Sequence, residues 1–171
     1  MAGNSIESGG TDNTCFGYES GKDLTTGDLN NLLGAKSGEN INTGQHNVAI
    51  GASALENLTT GHNNIAIGYN TGLDVSTGVE NVLIGGNAGV ALTTGHYNVA
   101  IGMRALSTED AHGYCVAIGR DALKVQNAGA NAYNVAIGYQ AGLSVTTGVR
   151  NVVMGGAAGD AITTGANNTA I

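Results

Sequence analysis

The sequence has no proline, no tryptophan, a single phenylalanine and only two cysteines in 171 residues. Charged residues make up 11%, less than half the roughly 25% usual in globular domains. Cys15 and Cys115 stand alone; two thiols are too few for a disulfide scaffold, and neither has metal-ligand spacing nearby. They read as small buried apolar residues. Six basic side chains, scattered from Lys22 to Arg150, and a net charge of −7 exclude a phosphate-binding surface, so no nucleic-acid partner is expected. No apolar run approaches the ~20 residues of a membrane span, so no membrane insertion is expected. Residues 1–7 lack the basic start and apolar stretch of a secretory signal, so the chain is not expected to carry its own export address.

What is present is glycine, 29 residues of it, alongside 42% hydrophobic residues in strict order. Segments of the form Asn-Val-Ala-Ile-Gly start at Asn13, Asn30, Asn47, Asn64, Asn81, Asn98, Cys115, Asn134, Asn151 and Asn168. The spacing is 17 residues throughout, except for 19 between Cys115 and Asn134. A fixed period of this kind marks a repeat architecture. Numbered from the asparagine, position 4 is large and apolar: Phe16, Leu33, Ile50, Ile67, Ile84, Ile101, Ile118, Ile137 and Met154. Position 5 is glycine in every complete copy, position 8 is small, and position 12 is usually aliphatic, as at Leu24, Ile41, Leu58 and Val75. Thr-Thr-Gly or a close relative follows.

Seventeen residues are too few for two helices and a turn. Val-Ala-Ile bounded by Asn and Gly reads as a strand, and the glycine-containing segments read as turns. Each repeat is therefore one coil of a parallel β-solenoid, with a strand of four or five residues and a shorter second extended segment. Ten coils at the ~4.8 Å strand spacing make a rod on the order of 45 Å long. The asparagines Asn13, Asn30, Asn47, Asn64, Asn81, Asn98, Asn134 and Asn151 are expected to stack as an amide ladder beside the isoleucine column. Residues 1–12 form a lead-in and 13–171 the repeat domain. Within it 107–133 loses both the ladder residue, at Cys115, and the Thr-Thr-Gly turn, and an irregular, partly protruding turn is expected there. Residues 64–101 and 134–171 match at an offset of 70, four coils plus the insertion, which looks like a duplicated block.

The strand is apolar on both faces, as in Val48-Ala49-Ile50 and Val82-Leu83-Ile84. One face can fill the coil interior. The other, lined by Ala, Leu or Val, needs a partner surface, and its small residues suit close approach of identical sheets in a symmetric homo-oligomer.

The motif Asn-x-Val-Ala-Ile-Gly-x-x-Ala resembles the head repeats of trimeric autotransporter adhesins. The fuller pattern at residues 134–148, Asn-Val-Ala-Ile-Gly-Tyr-Gln-Ala-Gly followed by Thr-Thr-Gly, is still more similar to shaft repeats of phage tail fibres. The resemblance covers residues 13–171 and implies a left-handed parallel β-roll wound as a homotrimer. Adhesin head coils are usually shorter, which favours the virion fibre. The function it implies is a rigid structural spacer in a virion tail fibre or other extracellular fibre, supporting host attachment. The alternative is an adhesin module binding host glycan through its lateral face, with Tyr69, Tyr97, Tyr114, Tyr133 and Tyr139 as candidate contacts. The sequence stops within the tenth strand, at Ile171; a fragment of a longer fibre is expected, with head-to-tail stacking as the other reading.

Enzyme chemistry is not expected. Position 10 runs Lys22, Glu39, Glu56, Leu73, Val90, Ser107, which breaks the hexad of left-handed acyltransferase helices. Carboxylates are dispersed, and the one adjacent pair, Glu109-Asp110, reads as a solvated turn. The histidines His46, His62, His96 and His112 read as turn residues, and Gly85-Gly86-Asn87 lacks the aspartate of calcium β-rolls. No metal or cofactor is expected. Ice binding through the threonines is a further alternative, although adjacent threonines point opposite ways.

Overall fold

The computed structural model describes residues 10–171; part of the 1–12 lead-in, residues 1–9, lies outside them. The strands are β1 (Thr14–Phe16), β2 (Asn31–Leu33), β3 (Val48–Ile50), β4 (Ile65–Ile67), β5 (Val82–Ile84), β6 (Val99–Ile101), β7 (Val116–Ile118), β8 (Val135–Ile137), β9 (Val152–Met154) and β10 (Thr169–Ala170). They form one all-parallel sheet in sequence order, and the described residues contain no helix. Register follows the repeat: Val48, Ala49 and Ile50 pair with Ile65, Ala66 and Ile67. The fold is a β-solenoid of about nine turns.

Each strand is three residues or fewer, shorter than the four or five expected, and the second extended segment is not a strand. The backbone nevertheless pairs along the axis there too. Thr59 N donates to Ser76 O at 2.8 Å, and Gly38 N donates to Ala54 O at 2.8 Å. A 17-residue circuit must turn several times, so most of it is corner.

The corners explain the glycines. Gly51 sits at φ 130°, where a side chain is strained, and a Cβ there would run into the carbonyl of Gly68 in the next coil. Other corners use left-handed backbone without glycine. The residue preceding each strand asparagine takes φ between 52° and 64°, as at Tyr97, Tyr114 and Tyr133.

The core is a narrow column. Position 3 (Leu32, Ala49, Ala66, Leu83) faces inward with position 8 (Ala54, Ala88) and position 12 (Leu24, Ile41, Leu58), all with no exposure. In five coils positions 3 and 9 are matched in size, while in two others both are small, Ala66 with Gly72 and Ala136 with Gly142, and leucines of neighbouring coils reach in, Leu83 and Leu55 lying 2.8 and 3.0 Å from a Cβ on Gly72. Leu32 and Leu83 lie in coils whose position 9 is Gly38 and Gly89, and a Cβ on either glycine would fall 2.8 Å from the leucine's Cδ2. Ala49, Ala100 and Ala117 lie in coils whose position 9 is Leu55, Leu106 and Leu123, likewise fully buried. Those leucines adopt left-handed backbone, φ 51°, 50° and 47°, a conformation that costs roughly 1–2 kcal/mol outside glycine.

One expectation is reversed. The face lined by Ala, Leu and Val is the coil interior, while the large column faces outward. Ile50 is 38% exposed and Ile67 36%, and Ile84, Ile101, Ile118 and Ile137 are half-buried. The reason is the asparagine two residues before position 3. Side chains two apart on a strand share a face, and the asparagine amide is held inside by the carbonyl of position 15, so position 3 is interior as well.

Candidate functional site

The asparagine ladder is continuous from Asn13 to Asn98. Asn47 shows the pattern: its Oδ1 accepts from Asn64 N at 3.0 Å and from Asn64 Nδ2 at 3.2 Å, and its own Nδ2 donates to Gly61 O at 3.0 Å. From Asn30 to Asn98 these amides are fully buried between coils, so each hydrogen bond both satisfies a polar group and ties one coil to the next.

At Cys115 the ladder is rerouted. Cys115 N still donates to Asn98 Oδ1 at 3.1 Å, but its thiol cannot replace the amide. Gln126, eight residues before Asn134, fills the role: Asn134 Nδ2 donates to Gln126 Oε1 at 2.7 Å. Gln126 Nε2 in turn donates to Cys115 Sγ at 3.1 Å and to Glu109 Oε2 at 3.0 Å. Glu109 and Gln126 occupy the position 12 column, where other coils place Leu, Ile or Val, and both are fully buried. Glu109 Oε1 accepts from His112 N, with His112 Nδ1 also at 3.3 Å, and Oε2 accepts additionally from Ala128 N at 3.2 Å. Glu109 is therefore not part of a solvated turn. Its carboxylate, Asp110 and His112 present ligand atoms within 4.8 Å of one another, yet both Glu109 oxygens are already taken by protein hydrogen bonds. The insertion opens beside this network, and Gly129 and Ala130 are exposed at its tip. Burial raises the pKa of both thiols, Cys15 and Cys115.

The outer face of the sheet carries two apolar columns. From β3 to β9 position 2 is Val48, Ile65, Val82, Val99, Val116, Val135 and Val152, and position 4 is Ile50, Ile67, Ile84, Ile101, Ile118, Ile137 and Met154. No charged or polar residue interrupts either column over seven coils, about 29 Å from first to last at the strand spacing. A stripe of this length is more than the scattered apolar exposure normal for a soluble surface.

The five candidate tyrosines fall into two columns on opposite sides of that stripe. Tyr97, Tyr114 and Tyr133 precede their strands and stack along the axis, with ring centroids 5.0 Å apart at each step. His96 packs edge-on against Tyr97 and Tyr114. Their ring faces are thus largely turned to one another. Tyr69 and Tyr139 follow their strands, at 61% and 53% exposure, and lie four coils apart, about 19 Å. No single sugar spans both. Arg120 shares their column and, with Arg104 and Lys124, surrounds the buried Asp121 carboxylate at 2.8–4.0 Å.

The threonines do not form a paired outward array. Thr59 Oγ1 donates to Ser76 O at 3.0 Å, which spends the first hydroxyl on coil-to-coil pairing. Thr60 in the next column is exposed. The surface of the described residues carries no pocket, so any recognition falls to flat faces. No family model, curated protein or solved structure matches this chain, and its candidate site is defined by geometry alone: a flat aliphatic stripe between two rims.

Proposed function

We propose that the chain is a rigid spacer segment of a virion tail fibre or similar extracellular fibre, and that it works as a homotrimer assembled through the outer face of the sheet. The observation that carries this reading is the uninterrupted Val/Ile stripe from Val48 to Met154. A surface that covers it must present apolar ridges at the coil spacing over the same length, and another copy of the same chain does so by construction. Three copies around an axis bury all three stripes together and close without an open edge. Stiffness then comes from two sources: backbone pairing that runs the length of each chain, and an axial apolar core shared by the three.

A spacer holds a tip at a distance and recognises nothing itself. The test is a glycan array probed with the purified chain, combined with electron microscopy of the same sample. Straight rods of uniform width and no glycan signal support the spacer. Glycan binding abolished by Tyr69→Ala or Tyr139→Ala would replace it with the adhesin reading.

A further inference from the structure

The periodic stripe leaves the axial register of neighbouring copies open. Sliding one copy by a single coil swaps valine for valine and isoleucine for isoleucine, so stripe contacts barely distinguish the offsets. Closure does distinguish them. In a cyclic ring of parallel copies every contact repeats the same offset, and any offset other than zero produces an open helical assembly. A closed ring therefore places equal coils side by side. Its contacts are heterologous, so the rim preceding the strand in one copy faces the rim following the strand in the next.

At equal level the two rims bring specific side chains face to face. Tyr114 precedes β7 and Arg120 follows it; Tyr133 precedes β8 and Tyr139 follows it. All four are exposed, and Tyr114 and Tyr133 are held upright by their own stacking at 5.0 Å. Arg120 keeps 54% of its side chain exposed even with its guanidinium 3.3 Å from Asp121.

We propose that Tyr114 and Tyr133 are inter-subunit contact residues: the Tyr114 hydroxyl accepts a hydrogen bond from the Arg120 guanidinium of the next copy, and Tyr133 meets Tyr139 of the next copy edge-on as an aromatic pair. This rests on the trimer reading and assigns its seam. It also gives the tyrosines a partner that is the chain itself, which a glycan reading does not.

The test is cross-linking of Tyr133→Cys/Tyr139→Cys in a Cys15→Ser/Cys115→Ser background. Within one chain the two positions are separated by the whole of β8, at least ~10 Å, beyond the Cα separation of up to about 7 Å that a disulfide tolerates. Any disulfide is therefore between copies. Air oxidation is expected to give a three-chain band on a non-reducing gel. The two-coil-offset pair Tyr97→Cys/Tyr139→Cys is expected to give none. A three-chain mass in solution with no covalent band overturns the seam while leaving the trimer. Linking of the offset pair overturns equal-level closure, a covalent band that stops at two chains overturns the ring of three, and a single-chain mass removes both the seam and the trimer. A background variant that no longer folds shows in circular dichroism, and the same pair is then read with both native thiols retained.

Discussion

Leu83 occupies the space that Gly89 leaves open: a Cβ on Gly89 would stand 2.8 Å from Leu83 Cδ2. In five coils the two walls are filled by complementary choices, Leu against Gly or Ala against Leu. Gly89→Ala is expected to cost about 2 kcal/mol, from overpacking and from the left-handed backbone at φ 56°. Leu83→Ala alone opens a cavity, and the double variant should be less destabilised than the two single costs combined. Thermal unfolding of the three variants measures the coupling.

The amide ladder predicts a gradient. Asn64→Ala removes the donor to Gly78 O and the acceptor for Asn81 N, leaving buried groups unpaired on both sides at a cost of about 2–4 kcal/mol. Asn13→Ala, at the half-buried end, should cost much less. Hydrogen exchange should place the loss at the coils flanking Asn64, because each coil contacts only its neighbours.

Gln126→Leu restores the aliphatic column yet should destabilise, because Asn134 and Glu109 each lose a buried partner. Glu109→Leu/Gln126→Leu should fall further, because the buried Ala128 N also loses its acceptor. A denaturation series tests the order: wild type highest, the single variant below it, the double variant lowest.

Glu39 gives a pH dependence. Burial pushes its carboxyl up, but hydrogen bonds and charge from Lys36 and Lys22, each at 3.0 Å, outweigh it and hold the pKa below its ordinary value. A lowered carboxyl contributes stability above the ordinary value near ~4.3 and loses it as pH falls through the folded value. Melting temperatures of wild type and Glu39→Gln should therefore differ at pH 7 and converge in acid.

The 17-residue period, the strand positions and the asparagine ladder were legible because each recurs in nearly every coil. The direction of the strand faces was not. Val48, Ala49 and Ile50 are all apolar, so alternation carries no polar mark, and size alone pointed the large column inward. The deciding residue was Asn47, whose neighbour in space, Gly61, lies 14 residues on. The rerouting through Gln126 was hidden for the same reason: Cys115 was visible as a break, but the partner that repairs it sits in a different column. The tyrosines could have been separated by position alone. Tyr97, Tyr114 and Tyr133 precede the ladder residue, while Tyr69 and Tyr139 follow the glycine.

In the proposed trimer the Val/Ile stripe is covered by two further copies of the same chain. Light scattering of the purified chain at micromolar concentration tests it most directly. The expected mass is about 51 kDa, three times the 17.0 kDa chain, falling toward a single chain in an Ile84→Asp/Ile101→Asp variant that keeps its circular dichroism. A wild-type mass of one chain, with the stripe left in water, would contradict it.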